Sequence, residues 1–104
     1  MMEYTFRIKE GRKTIPITVF TDSRYALAGE FLLAERSILK EINALIQAEG
    51  DGELSGNIFS LRLSGSDAEI TNEITGSELT VTRDELKALA ADYSNEVKRL
   101  RKRS

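Results

Sequence analysis

The stretch that most constrains how this chain folds is the apolar arc through residues 24–48, with a carboxylate set at its centre. On a helical wheel of ~100° per residue, Leu27, Ala28, Phe31, Leu32, Ala34, Ile38, Leu39, Ile42, Leu45 and Ile46 share one broad side. Glu30, Arg36, Lys40, Asn43 and Gln47 occupy much of the rest. This spacing predicts a helix from about Arg24 to Ala48, capped by Thr21-Asp22-Ser23 and stopped by Gly50-Asp51-Gly52. Gly29 inside it costs about 1 kcal/mol relative to alanine, which points to close approach of a neighbour. A helix with so wide an apolar side needs a sheet to cover it, and the rest of the sequence supplies strands.

Tyr4, Phe6 and Ile8 alternate with Thr5, Arg7 and Lys9, the period of a half-buried strand. After Glu10-Gly11-Arg12-Lys13, Ile15, Ile17 and Val19 resume it, with Pro16 favouring an edge position because it donates no ladder bond. Glu53-Leu54-Ser55-Gly56 reads as a loop. Phe59, Leu61 and Leu63, then Ala68, Ile70, Asn72 and Ile74, then Leu79 and Val81 read as an antiparallel meander of three strands. Thr82-Arg83-Asp84-Glu85 is a capping box, and Leu86, Leu89, Ala90, Tyr93, Val97 and Leu100 trace a second helix. The expected fold is α+β in the order ββαβββα: a single antiparallel sheet of about five strands with both helices on one face. Residues 1–97 form one domain and residues 98–104 a basic helix end or tail.

The 104 residues include no histidine and no cysteine. This inventory excludes serine–histidine and cysteine–histidine catalysis, thiolate zinc sites, disulfides and thiol redox chemistry. No catalytic, cofactor or metal residue is assigned, and the loop carboxylates Asp51, Glu53, Asp67 and Glu69 lack calcium-loop spacing. The loop glycines do not form a phosphate loop. No apolar run approaches the ~20 residues of a membrane span, and the N-terminal residues lack the layout of a signal peptide. A cytoplasmic location is therefore expected.

Charge is unevenly distributed. Residues 1–97 carry ten cations against seventeen anions, a formal −7, whereas Lys98, Arg99, Arg101, Lys102 and Arg103 add +5 to give the net −2. An acidic body repels nucleic-acid phosphates and attracts basic partners. Asp67, Glu69, Glu73 and Glu78, along and beyond the fourth strand, are the candidate partner-binding residues. The tail is read as a solubilising, frayed helix end whose cations complement the helix dipole.

Glu35 breaks the apolar pattern around it. Burial would raise its pKa unless a cation or hydrogen-bond donors met it, and Arg7, Arg24 and Arg62 are the candidate cations. The favoured expectation is a structural ion pair, or a helix whose first half overhangs the sheet and leaves Glu35 in water; an acid–base role in a pocket between helix and sheet is the alternative. Tyr25, Ala26, Leu33 and Ala44 fall off the main arc and suggest a weaker stripe for a homodimer.

The segments Phe20-Thr21-Asp22-Ser23-Arg24-Tyr25-Ala26-Leu27-Ala28-Gly29-Glu30-Phe31-Leu32, Ser55-Gly56-Asn57-Ile58-Phe59-Ser60-Leu61 and Glu69-Ile70-Thr71-Asn72-Glu73 together resemble small uncharacterised bacterial proteins, some akin to toxin-neutralising immunity proteins. The resemblance implies a cytoplasmic bacterial protein that works by binding, and it assigns no functional residue. The leading expectation is a non-enzymatic protein-binding module recognising a basic protein partner through an acidic surface. The alternatives are a structural or oligomer-forming accessory protein of a phage or mobile element, and a carboxylate-dependent enzyme using Glu35.

Overall fold

In the computed structural model, residues 2–103 are described, and Ser104 of the expected tail lies outside them. Strands β1 (Tyr4–Lys9) and β2 (Ile15–Phe20) form a two-stranded antiparallel hairpin. Helices α1 (Ala26–Ala34) and α2 (Leu39–Gln47) follow, then β3 (Gly52–Ser55), β4 (Phe59–Ser64), β5 (Asp67–Asn72) and β6 (Glu78–Thr82), and finally α3 (Arg83–Arg103). The second sheet is a four-stranded antiparallel meander in the order β3-β4-β5-β6.

The α+β class is as expected, but the single five-stranded sheet is not: there are two sheets, of two and four strands. The reason lies in α1. Its sequence, ALAGEFLLA, is apolar on almost every side, and a helix of that kind must be covered from more than one direction. Both α1 and α3 touch β2 of the hairpin as well as β5 and β6 of the meander, so one sheet covers each side of the pair. On the hairpin side Phe20 lies 6.0 Å from Tyr25, and Phe6 lies 5.9 Å from Tyr93, ring centre to ring centre. On the meander side Phe59, Leu61, Leu63, Ala68, Ile70 and Val81 are buried beneath the helices. Gly29 makes the close approach to β2 possible: a Cβ there would lie 3.0 Å from the Phe20 ring and 3.3 Å from Thr18 Cβ.

The expected long helix is broken. A straight helix from Arg24 to Ala48 would span about 37 Å, nearly the 39 Å long axis of the whole molecule. Instead the chain kinks at Glu35 (φ −105°, ψ 25°), passes through a 3₁₀ turn at Arg36–Ile38, and restarts as α2. Its beginning is also a 3₁₀ turn, Ser23–Tyr25, capped by Asp22, whose carboxylate accepts the Arg24 amide at 3.0 Å. That turn swings Tyr25 into the core, so the off-arc stripe suggested for a homodimer loses its largest side chain.

The stretch Glu53-Leu54-Ser55-Gly56, read as a loop, instead contributes Glu53 to Ser55 to strand β3, which pairs with β4 and sets Leu54 opposite Leu61. At the other end of the meander β5 stops at Asn72, whose side-chain oxygen accepts the Ile74 and Thr75 amides in a turn. Ile74 is consequently exposed and outside the strand alternation expected for it. The capping box forms as expected: Glu85 Oε1 accepts the Thr82 amide at 3.0 Å, and Thr82 Oγ1 accepts the Glu85 amide at 3.0 Å. The basic segment continues α3, with Leu100 buried and Lys98, Arg99, Arg101 and Lys102 exposed.

Candidate functional site

Among the described residues Glu35 is the only charged one that is buried, 1% exposed, and no cation among them meets it. Arg24 pairs instead with Asp22 and stacks over Tyr25, Arg62 pairs with Glu53, and Arg7 is exposed. The carboxylate is held by three successive backbone amides of the β3–β4 turn: Asn57 N–H to Oε1 at 3.0 Å, and Ile58 and Phe59 N–H to Oε2 at 2.7 and 2.8 Å. Desolvation pushes the Glu35 carboxyl up, but the Phe59, Ile58 and Asn57 amides together outweigh it and hold it below its ordinary value. The carboxylate fills an anion hole built by its own chain, and the helix kink places it there. Donors, the second of the two ways a buried carboxylate is stabilised, replace the expected ion pair.

A second anchor joins α2 to α3. Arg83, the first residue of α3, donates from Nε to the Ile46 carbonyl at 3.2 Å and from Nη1 to the Gly50 carbonyl at 2.6 Å, and its Nη2 also reaches the Ala48 carbonyl. The Ile46 carbonyl is one that a helix end leaves without an intrahelical partner, and the Ala48 and Gly50 carbonyls follow it where the chain leaves α2. Sequence reasoning treated Arg83 only as an interior position of the capping box. The signal for its role would have been a lone arginine following a strand and facing a glycine-stopped helix. Tyr93, buried on α3, donates its hydroxyl to the Pro16 carbonyl at 2.8 Å, and burial pushes its pKa up to about 12 against a lowering influence of Arg36.

The four candidate partner-binding carboxylates share one surface. Asp67 and Glu69 alternate with the buried Ala68 and Ile70 on β5, so they point away from the core. Glu78 on β6 lies opposite Thr71, on that same outer side. Glu73, just beyond β5, accepts the Ser60 hydroxyl at 2.5 Å and so lies over the outward row of β4. In register beside them stand Glu53 and Arg62, an exposed pair at 3.4 Å. The outer face of the meander thus carries five carboxylates against one guanidinium, a formal −4, interspersed with Ser55, Ser60, Ser64, Thr71, Thr80 and Thr82.

The helical side has two adjoining grooves. One, about 670 Å³, runs between α2 and α3; the other, about 630 Å³, lies between the β1–β2 turn, the α1–α2 junction and α3. Neither is lined by Glu35, by a residue of the meander, or by any carboxylate. Among the described residues no group of three or more acidic side chains converges as a metal site would require, and no helix is long and apolar enough to cross a membrane. No protein-family model, curated protein or solved structure matches this chain.

Proposed function

We propose that this protein is a non-enzymatic binding module whose acidic meander face recognises a basic protein, in the manner of an immunity or inhibitor protein that masks its target. The observation that carries this reading is the gathering of Asp67, Glu69, Glu73 and Glu78 on one exposed sheet face with a formal −4. Antiparallel sheets commonly leave one face in water, but a single-signed face also raises the encounter rate with an oppositely charged partner. The serine and threonine hydroxyls between the carboxylates supply short donors and acceptors that bury with little loss of side-chain entropy. Glu35, on which a carboxylate-dependent activity would depend, has its oxygens engaged by backbone amides. A cytoplasmic setting beside a basic toxin or nuclease suits such a module.

The test is affinity capture from the native organism with the wild-type chain and with a variant carrying Asp67→Lys, Glu69→Lys and Glu78→Lys. These three side chains make no hydrogen bond among the described residues, so circular dichroism should be unchanged. A high-pI partner retained by wild type, released by salt and lost by the variant supports the reading. Equal capture by both proteins, or an acidic partner, defeats it.

A further inference from the structure

The two grooves on the helical side have a common lining, and their charge is opposite to that of the chain as a whole. Arg36, Lys40, Lys98 and Arg101 line the first; Arg12, Lys13, Arg36 and Arg101 line the second. Six of the fifteen cations are thereby drawn together from the hairpin turn, the kink after α1 with the first turn of α2, and the end of α3, while none of the seventeen Asp and Glu side chains lines either groove. Arg36, Ser37, Val97 and Arg101 belong to both, so the grooves form one continuous depression with Arg36 and Arg101 at its waist. Part of this geometry is fixed by the fold. Arg36 donates to the Leu33 carbonyl at 2.7 Å, and Asn43 donates to Ser94 Oγ at 2.7 Å, tying α2 to α3 between residues of the first groove.

We propose that this depression is a docking surface for an acidic segment of another protein, one that alternates carboxylates with aliphatic side chains. Charge complementarity sets the sign of the occupant. The floor sets its class: Ala44, Ala91 and Val97 in the first groove, and Ile15, Ala34 and Val97 in the second, are exposed or half-buried and offer apolar contact that a phosphate backbone does not use. No aromatic side chain lines either groove, so there is no platform on which unpaired bases stack. The surface shares no residue with the acidic meander face, and the protein thereby joins two partners of opposite charge. The kink at Glu35 builds the waist, because it releases Arg36 and Ser37 from the helix just where α3 ends.

The probe is a fluorescein-labelled peptide of alternating glutamate and leucine, titrated by anisotropy against the full chain, with a single-stranded oligonucleotide of equal charge as competitor. Saturable peptide binding is expected, with amide shifts in a ¹⁵N spectrum confined to residues 12–15, 34–47 and 91–101. Arg36→Glu with Arg101→Glu should weaken it at least tenfold. Since Arg36 also bonds to the Leu33 carbonyl, Lys40→Glu with Lys98→Glu provides a second, exposed pair expected to have a similar effect. The triple lysine variant of the meander face should bind the peptide as well as wild type does. No saturable binding, unchanged affinity in both groove variants, or tighter binding of the oligonucleotide lost in the same variants would each overturn the proposal. Because the meander variant is read out separately, failure here leaves the acidic-face reading standing, and the reverse.

Discussion

Gly56 and Glu35 occupy complementary space: a Cβ built on Gly56 would fall inside van der Waals contact of the Glu35 carboxylate. The glycine is needed for absence of bulk, since its neighbours Asn57, Ile58 and Phe59 must all turn their amides to the same two oxygens. Gly56 itself closes the turn by donating to the Phe59 carbonyl at 2.8 Å. Gly56→Ala should therefore destabilise the protein by about 2 kcal/mol, the scale of overpacking in a tight core. Glu35→Ala should cost more, about 3–5 kcal/mol, because it leaves buried amides without acceptors. The two should be strongly non-additive: once the carboxylate is gone, the added methyl enters vacated space, and Gly56→Ala becomes nearly neutral. Urea unfolding of the four-member cycle measures this, and additive costs would contradict the shared volume.

The same carboxylate sets an acid limit. The Glu35 carboxyl is lowered in the fold, so the folded state binds its proton less readily than the unfolded chain does. Stability from this group is then complete above the unfolded value and is lost as pH falls through that value toward the folded one. Glu85 acts with the same sign, held low first by the Thr82 amide. Between about pH 5 and pH 3, wild-type stability should fall steeply, and Glu35→Gln should be less stable at neutrality but flatter across that window. Thermal melts at each pH test this; parallel profiles would show that Glu35 does not govern the acid limb. Glu85→Gln should remove a smaller part of the slope, since that side chain sits at a more exposed helix start.

Much of this architecture is legible in the sequence, and the misses have identifiable physical causes. Period-two alternation locates β1, β2, β4 and β6, and the Thr82–Glu85 capping box locates the start of α3. The broken helix is missed because a wheel projects azimuth and is blind to a bend: residues on either side of Glu35 keep their shared side while the axis changes direction. The second sheet is missed for a related reason. The breadth of the apolar arc in α1 is the sign that one sheet cannot cover it, but on a wheel breadth is indistinguishable from a single wide buried side. Strand β3 escapes because Gly52 and Ser55 look like turn residues, although Leu54 alone faces the core at its level. For Glu35, sequence reasoning finds the residue and its structural role but names cations as partners, because amide donors in a distant turn carry no side-chain signature. The basic depression is hidden for the same kind of reason: its cations come from three separate segments and look unrelated along the chain.

Arg83 offers a test of how α2 is terminated. Its guanidinium serves the carbonyls of Ile46, Ala48 and Gly50, and charge-assisted bonds of this kind contribute more than neutral ones. Arg83→Ala should cost about 2 kcal/mol, and Arg83→Lys should recover less than half of that because a single ammonium cannot serve a fork of diverging carbonyls. The Ala48 amide, which donates to the Ala44 carbonyl at 3.0 Å, should exchange with solvent faster in the alanine variant. Unchanged exchange there, with unchanged melting, would mean that the helix end is held by packing of Leu45 and Ile46 alone.

Thr18 presents the opposite situation to Glu35, a buried polar atom with nothing to satisfy it. Its Oγ1 is buried and has no hydrogen-bond partner among the described residues, on the side of β2 that packs against Gly29 of α1. A hydroxyl in that position pays a desolvation penalty that no interaction offsets, and penalties of this kind run to about 1–3 kcal/mol. Valine preserves the β-branch and the outline of the side chain while replacing the hydroxyl with a methyl, and it is at least as favourable in a strand. Thr18→Val is therefore expected to stabilise the protein by about 1 kcal/mol, read as a higher urea midpoint with an unchanged slope. The tight spacing to Gly29 limits the gain, because the methyl is slightly larger than the oxygen it replaces and the Cβ of Thr18 lies only 3.3 Å from where a side chain on Gly29 would begin. A loss of stability on this substitution, with the spectrum otherwise native, would show that the hydroxyl is engaged in solution, for instance by an internal water bridging β2 and α1.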